Sequence, residues 1–293
     1  MKKFPQNAGI LLFSFCGKNN AGVIFLGEKV RGYLMIIGGA EDRSGDKEIL
    51  KKFAEISGQG KANVTVITVA SQDPKGVGEM YVEIFSQLGI GHVEALYIKS
   101  RSDANKESVA ERIASSTGIF FTGGDQLRIT SILGGTKAYH ALERAYRQGV
   151  IIAGTSAGAA AMSDTMIIGG AGDEAPKGNT VSMAPGLGLL EEVVIDQHFA
   201  QRGRMARLLL AVAQNPFILG VGIDEDTAII VHPDGNFWVI GSNTVTVLDG
   251  SCVSFTNVSE LRPGEPLAMC NAALHVLSPG LGFDMKKRKP LLE

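Results

Sequence analysis

The chain has 293 residues, 28 basic and 30 acidic, for a net charge of −2, with 45% hydrophobic and 20% charged residues. That much apolar material excludes a disordered chain. The near-neutral balance excludes nucleic-acid binding by bulk charge, and no run reaches the ~18 apolar residues of a membrane span.

Taken in chain order, the first 31 residues stand apart. Lys2 and Lys3 precede an apolar run at 9–15 that imitates a secretory leader in part, but Pro5 and Asn7 interrupt it and no small-x-small site follows. A short strand or arm is expected there. From residue 32, short apolar runs alternate with helical spacing. Strands are predicted at 32–39, 64–70, 93–98, 118–122 and 150–154. Helices are predicted at 46–57, 78–88, 108–115, 127–133, 138–147 and 157–162. The alternation predicts an α/β fold, a mostly parallel sheet with helices on both faces. Short strands at 222–231, 236–240, 244–248 and 251–255, with the turn Pro233-Asp234-Gly235, predict a β-rich C-terminal portion. The expected organisation is an extension (1–31), one catalytic α/β domain (32–279) and a solvated, charged tail (280–293). Cys16, Cys252 and Cys270 include no C-x-x-C pair, which argues against a disulfide framework or zinc site and fits buried reduced thiols.

The chemistry centres on Gly154-Thr155-Ser156-Ala157-Gly158, where a strand gives way to a helix. Small neighbours let a nucleophile sit on a sharp turn with its hydroxyl above the sheet, and they turn the Ala157 amide toward an oxyanion. A serine N-cap in a Gly/Ala-rich turn is the plain alternative. His92, His140 and His232 read as ordinary surface or core residues. His198 instead follows the apolar run Val193-Val194-Ile195, at a strand end where sheet-top catalytic groups gather. It is the candidate general base. The carboxylate orienting it is Glu225, after Gly222-Ile223-Asp224, or Glu174 in a Gly-rich loop. Both stay open, with strand-end convergence favouring Glu225.

Gly123-Gly124-Asp125-Gln126 offers a second oxyanion donor at Gly124 or Asp125, with Gly38-Gly39 a rival. Asp196 shares a face with His198 in an extended segment and is a candidate for the pocket lining. Arg202, Arg204 and Arg207 follow the base and suggest carboxylate recognition, a solvated helix face being the alternative. Gly203 between them predicts an irregular turn that lets two or three arginines converge on substrate. No metal or cofactor is called for.

The segments IIGGAEDR, FFTGGDQLR, GTSAGAAAMS, DQHFAQRGRMARL and GIDEDTA, in this order over residues 36–228, resemble the cyanophycinases. These are serine exopeptidases of class I glutamine amidotransferase-like fold, related to aspartyl dipeptidases. The resemblance implies Ser156 as nucleophile and His198 as base. It also implies a pocket shaped by Gln126, Asp196, Gln197, Arg202, Arg204 and Arg207. The implied substrate is cyanophycin, a poly-aspartate backbone with arginine on each β-carboxyl, cleaved to β-Asp-Arg dipeptides through an acyl-enzyme. Other β-aspartyl peptides are the alternative. A cytoplasmic enzyme with no nucleic-acid or membrane partner is expected, and a homodimer is compatible with it. A binding or ammonia-handling protein on the amidotransferase fold is the competing class; a glutaminase requires Cys at the elbow, where this chain has Ser156.

Overall fold

The computed structural model describes residues 32–170, 175–178 and 181–292, so the expected N-terminal arm, Cys16 and Glu174 lie outside the described residues. The first half runs β1 (Leu34–Ile37), α1 (Glu48–Ser57), β2 (Asn63–Ile67), α2 (Pro74–Gln87), β3 (His92–Leu96), α3 (Arg101–Ala104), α4 (Glu107–Ala114), β4 (Gly118–Phe121), α5 (Gln126–Leu133), α6 (Lys137–Arg147), β5 (Ile151–Thr155) and α7 (Ala157–Ala160). Then follow β6 (Thr165–Gly170), β7 (Val181–Pro185), β8 (Val193–Gln197), α8 (Met205–Gln214), β9 (Leu219–Ile223), β10 (Thr227–Val231), β11 (Asn236–Gly241) and β12 (Val245–Asp249). The chain closes with β13 (Phe255–Thr256), β14 (Met269–Cys270), β15 (Ala273–Leu277), β16 (Gly282–Asp284) and β17 (Lys289–Leu291).

The large sheet has nine strands in the order β17-β16-β11-β10-β1-β5-β4-β2-β3. Strands β1, β5, β4, β2 and β3 are parallel, and β10, β11, β16 and β17 extend them antiparallel. Every residue of β1, β4 and β5 is buried, as a strand covered on both faces requires. On one face Phe53 of α1 and Tyr81 and Phe85 of α2 pack around Phe120 at ring separations of 5.5, 4.7 and 5.2 Å. Helices α3 to α7 cover the other face. This is the α/β fold read from the sequence. Helix α2 starts earlier than the apolar spacing suggested, because Asp73 accepts the Gly76 N–H and Pro74 fills the first helical position.

A second sheet, β15-β12-β9-β8, lies between the main core and α8. The strand predicted at 222–231 is in fact broken. Its first two residues, Gly222 and Ile223, end β9 in the small sheet, and residues 227–231 form β10 in the large one. Asp224-Glu225-Asp226 makes the crossing, since three acidic side chains cannot continue a strand buried on both faces. The Asp224 carboxylate holds the bend by accepting from Ala200 N–H and from the N–H and hydroxyl of Thr244.

Other expectations need correction. Residues 251–254 form a turn in which Asp249 accepts from Ser251 N–H and hydroxyl. β6 and β7, which no predicted strand covers, pair antiparallel. The tail joins the fold: β16 brings Phe283 to stack 5.8 Å from Phe237, and Arg288 reaches Asp249 at 2.5 Å. Cys252 and Cys270 are free and exposed rather than buried. Among the described residues, no helix is long and apolar enough to cross a membrane.

Candidate active site

Ser156 follows β5 with φ 53° and ψ −110°, a conformation costing a non-glycine residue of order 1–3 kcal/mol. Its N–H donates to Ile37 O at 3.0 Å, and its own carbonyl accepts the Ala160 N–H at 3.0 Å. The small flanks are a steric necessity: a Cβ on Gly154 would stand 2.5 Å from the Gly158 backbone. His198 follows β8 at φ 48° and donates its N–H to Gly38 O at 2.8 Å. Its Nε2 lies 2.9 Å from Ser156 Oγ, and its Nδ1 lies 2.6 Å from Glu225 Oε1. With Nδ1–H donating to the carboxylate, Nε2 is left to accept the serine hydroxyl.

Gly39 closes the imidazole from the side at φ 102°, where a Cβ would come within 2.5 Å of Nε2. Glu225 is fixed through its backbone, its N–H donating to Gln201 Oε1 at 3.0 Å and its carbonyl accepting from Asn243 Nδ2 at 2.8 Å. Burial lowers the His198 pKa from its ordinary value, the Glu225 hydrogen bond opposes this, and the Arg202 cation lowers it further. Burial therefore favours the neutral imidazole, the form able to take a proton.

Ala157 N–H is the first amide of α7 and has no intrahelical acceptor. α7 is a single turn, too short for a long helix dipole. Asp125 drops out as an oxyanion donor: its N–H is bonded to Ala70 O at 3.0 Å, and its side chain caps α5 through Leu127 N–H. Gly124 remains, and the neighbouring Gly123 packs directly on Ser156, a Cβ there lying 3.9 Å from Oγ. Gln126 donates through Nε2 to Ile167 O at 2.8 Å.

The arginine cluster turns out differently from its expected place. The irregular turn after His198 exists, with Gly203 at φ 58°, but it folds two of the arginines inward. Arg207 pairs with the buried Asp196 carboxylate through Nε at 2.6 Å and through Nη2, and Arg204 Nη1 stands 3.4 Å from it. Arg204 also donates to Gln197, reaching Oε1 at 2.7 Å as well as the backbone carbonyl. Every residue of β8 is buried, so its aspartate needs a buried cation beside it. Asp196, Arg204 and Arg207 thus brace the strand that leads to His198. Arg202 alone of the three is exposed.

Residues 34–238 match peptidase family S51. The chain belongs to that family. The cyanophycinase of Geminocystis herdmanii is 41% identical over 263 residues, covering 89% of this chain and 97% of that one. The cyanophycinase of Trichormus variabilis is 42% identical over 259 residues, covering 88% and 87%. A solved peptidase from an acI-B1 Actinobacterium has the same fold, with a TM-score of 0.65 at 20% identity over 87% of this chain and 98% of that one.

As an S51 peptidase the chain is a hydrolase, and the matched region runs from β1 into β11, spanning Ser156, His198 and Glu225. Residues that the reading of this S51 sequence did not single out also meet at the site. Glu41 lies buried next to Thr155, and Asp226 ties the Glu225 bend to the β1 loop. Both sit in acidic stretches, AED and DED, that end apolar runs, which is the signal that pointed to Glu225. A separate cavity of about 700 Å³, lined by Tyr146, Leu189, Val193, Leu219 and His232, opens at the opposite strand ends and holds none of these residues.

Proposed function

We propose that this S51 peptidase hydrolyses cyanophycin to β-Asp-Arg dipeptides through an acyl-enzyme, with Ser156 as nucleophile, His198 as general base and Glu225 orienting the imidazole. Ser156 Oγ attacks the scissile carbonyl carbon while Nε2 takes its proton. The Ala157 and Gly124 amides receive the oxyanion. Collapse of the intermediate breaks the C–N bond, and the imidazolium returns the proton to the leaving amine. Water, activated by the same imidazole, then releases the acyl group and restores the serine.

The observation that carries this reading is the unbroken hydrogen-bonded chain Ser156–His198–Glu225 on a strained turn. Its substrate rests on the two cyanophycinases that are 41% and 42% identical over most of this chain. The exposed Arg202 suits the carboxylates of such a polymer. The same reading puts the enzyme in the cytoplasm, where the exposed thiols of Cys252 and Cys270 stay reduced. It also allows a homodimer, for which the edge strand β15 presents Leu274 and Val276, 53% and 59% exposed.

Release of β-Asp-Arg from insoluble cyanophycin, assayed beside α-linked peptides and other β-aspartyl peptides, tests the proposal. Ser156→Ala is expected to lower cyanophycin turnover by about 10⁴-fold or more while the circular dichroism spectrum is retained. Near-normal turnover in that variant rules out the serine mechanism. Equal rates on all β-aspartyl peptides move the substrate to the broader class.

A further inference from the structure

Glu41 lies on the loop after β1 with its side chain wholly buried. Both carboxylate oxygens are engaged by hydroxyls. Thr155 Oγ1 donates to Oε2 at 2.5 Å, and the Tyr81 hydroxyl, from α2, donates to Oε1. Arg43 Nε stands 3.6 Å away on a side chain that is 41% exposed, so hydrogen bonds rather than a close ion pair hold the buried group.

Thr155 is the residue before Ser156. One position past the paired register of β2, β4 and β5, Thr68, Thr122 and Thr155 form a row on one face of the sheet. The hydroxyls of Thr68 and Thr122 find no hydrogen-bond partner among the described residues. The carboxylate is thus aimed at the one threonine of the row that adjoins the strained turn. The loop carrying Glu41 also touches His198 and Asp226, the neighbour of Glu225. Gly38 O accepts the His198 N–H at 2.8 Å and Gly39 O accepts the Asp226 N–H at 2.9 Å. Asp42 N–H donates to Asp226 Oδ1 at 2.7 Å.

We propose that Glu41 is a positioning residue: by clamping Thr155 it fixes the turn that aims Ser156 Oγ at His198 Nε2. The proposal rests on the reading of Ser156 as nucleophile and adds the group that sets its direction. Thr155→Val keeps the volume and removes the donor. In the full-length enzyme it is expected to lower kcat on cyanophycin about 10- to 100-fold with KM within about twofold. Labelling of Ser156 by a fluorophosphonate probe slows by a similar factor. Thr155→Ser, which keeps the hydroxyl, recovers most of both rates.

A Thr155→Val enzyme with normal kcat overturns the proposal, provided Ser156→Ala is inactive. Turnover surviving in Ser156→Ala instead overturns the nucleophile reading beneath it. A loss in Thr155→Val that Thr155→Ser does not recover, accompanied by a lower melting temperature, makes the contact structural and also overturns the proposal. Should Thr155→Val fail to fold, Tyr81→Phe removes the other donor to Glu41, and an unchanged kcat there decides against it.

Discussion

Ser156 and His198 both hold positive φ, 53° and 48°, so the two groups that must meet are each locked by backbone and not by rotamer choice alone. The imidazole is also tuned by its neighbours, and Arg202 is the one easily removed. Its positive charge disfavours the imidazolium, so Arg202→Gln raises the His198 pKa. If His198 is the base, the acid limb of kcat/KM, which requires its neutral form, therefore lies lower than an ordinary histidine would place it and moves to higher pH in the variant. A pH–rate profile on a small uncharged ester checks the sign without any contribution from substrate carboxylates. On cyanophycin the same variant is expected to lose roughly 10- to 150-fold in kcat/KM, the worth of one charge-assisted contact. An unmoved acid limb separates Arg202 from the site.

Elements decide what single residues do, and this is where sequence reading reaches its limit. Ser156 and His198 were legible because each ends an apolar run, and a sheet delivers the residues at its strand ends to one edge. The acid was half-legible for the same reason, although the bend carrying Glu225 was hidden inside what reads as one continuous strand. Nothing in the spacing announces that β9 and β10 part into different sheets. The pairing of the arginines with Asp196 was not legible, because carboxylate and guanidinium are brought together by packing. Asp196 on β8 meets Arg207 only once α8 lies across the strand. That pairing leads to a stability prediction, not a binding one. Arg207→Ala leaves a buried carboxylate short of its partner and is expected to cost about 3–5 kcal/mol, measured by urea unfolding. A variant as stable as the parent that is impaired only on cyanophycin returns Arg207 to the substrate pocket.

At the scale of the whole molecule, Ser156 directly follows a strand of the large sheet, His198 directly follows a strand of the small one, and Glu225 lies on the bend joining them. The expected tail is part of the large sheet, where β16 pairs with β11 and buries Phe283. The sheets touch at the site through the His198 N–H to Gly38 O bond and across the bend at residues 224–226. Catalytic output is therefore a gauge of how the two sheets are seated. In a denaturant titration, inactivation is expected at lower urea than the loss of far-UV ellipticity, because a small slip between the sheets parts serine from imidazole while every strand keeps its own hydrogen bonds. Coincident curves overturn this. If the curves separate, the enzyme switches off as a hinge before it melts as a protein.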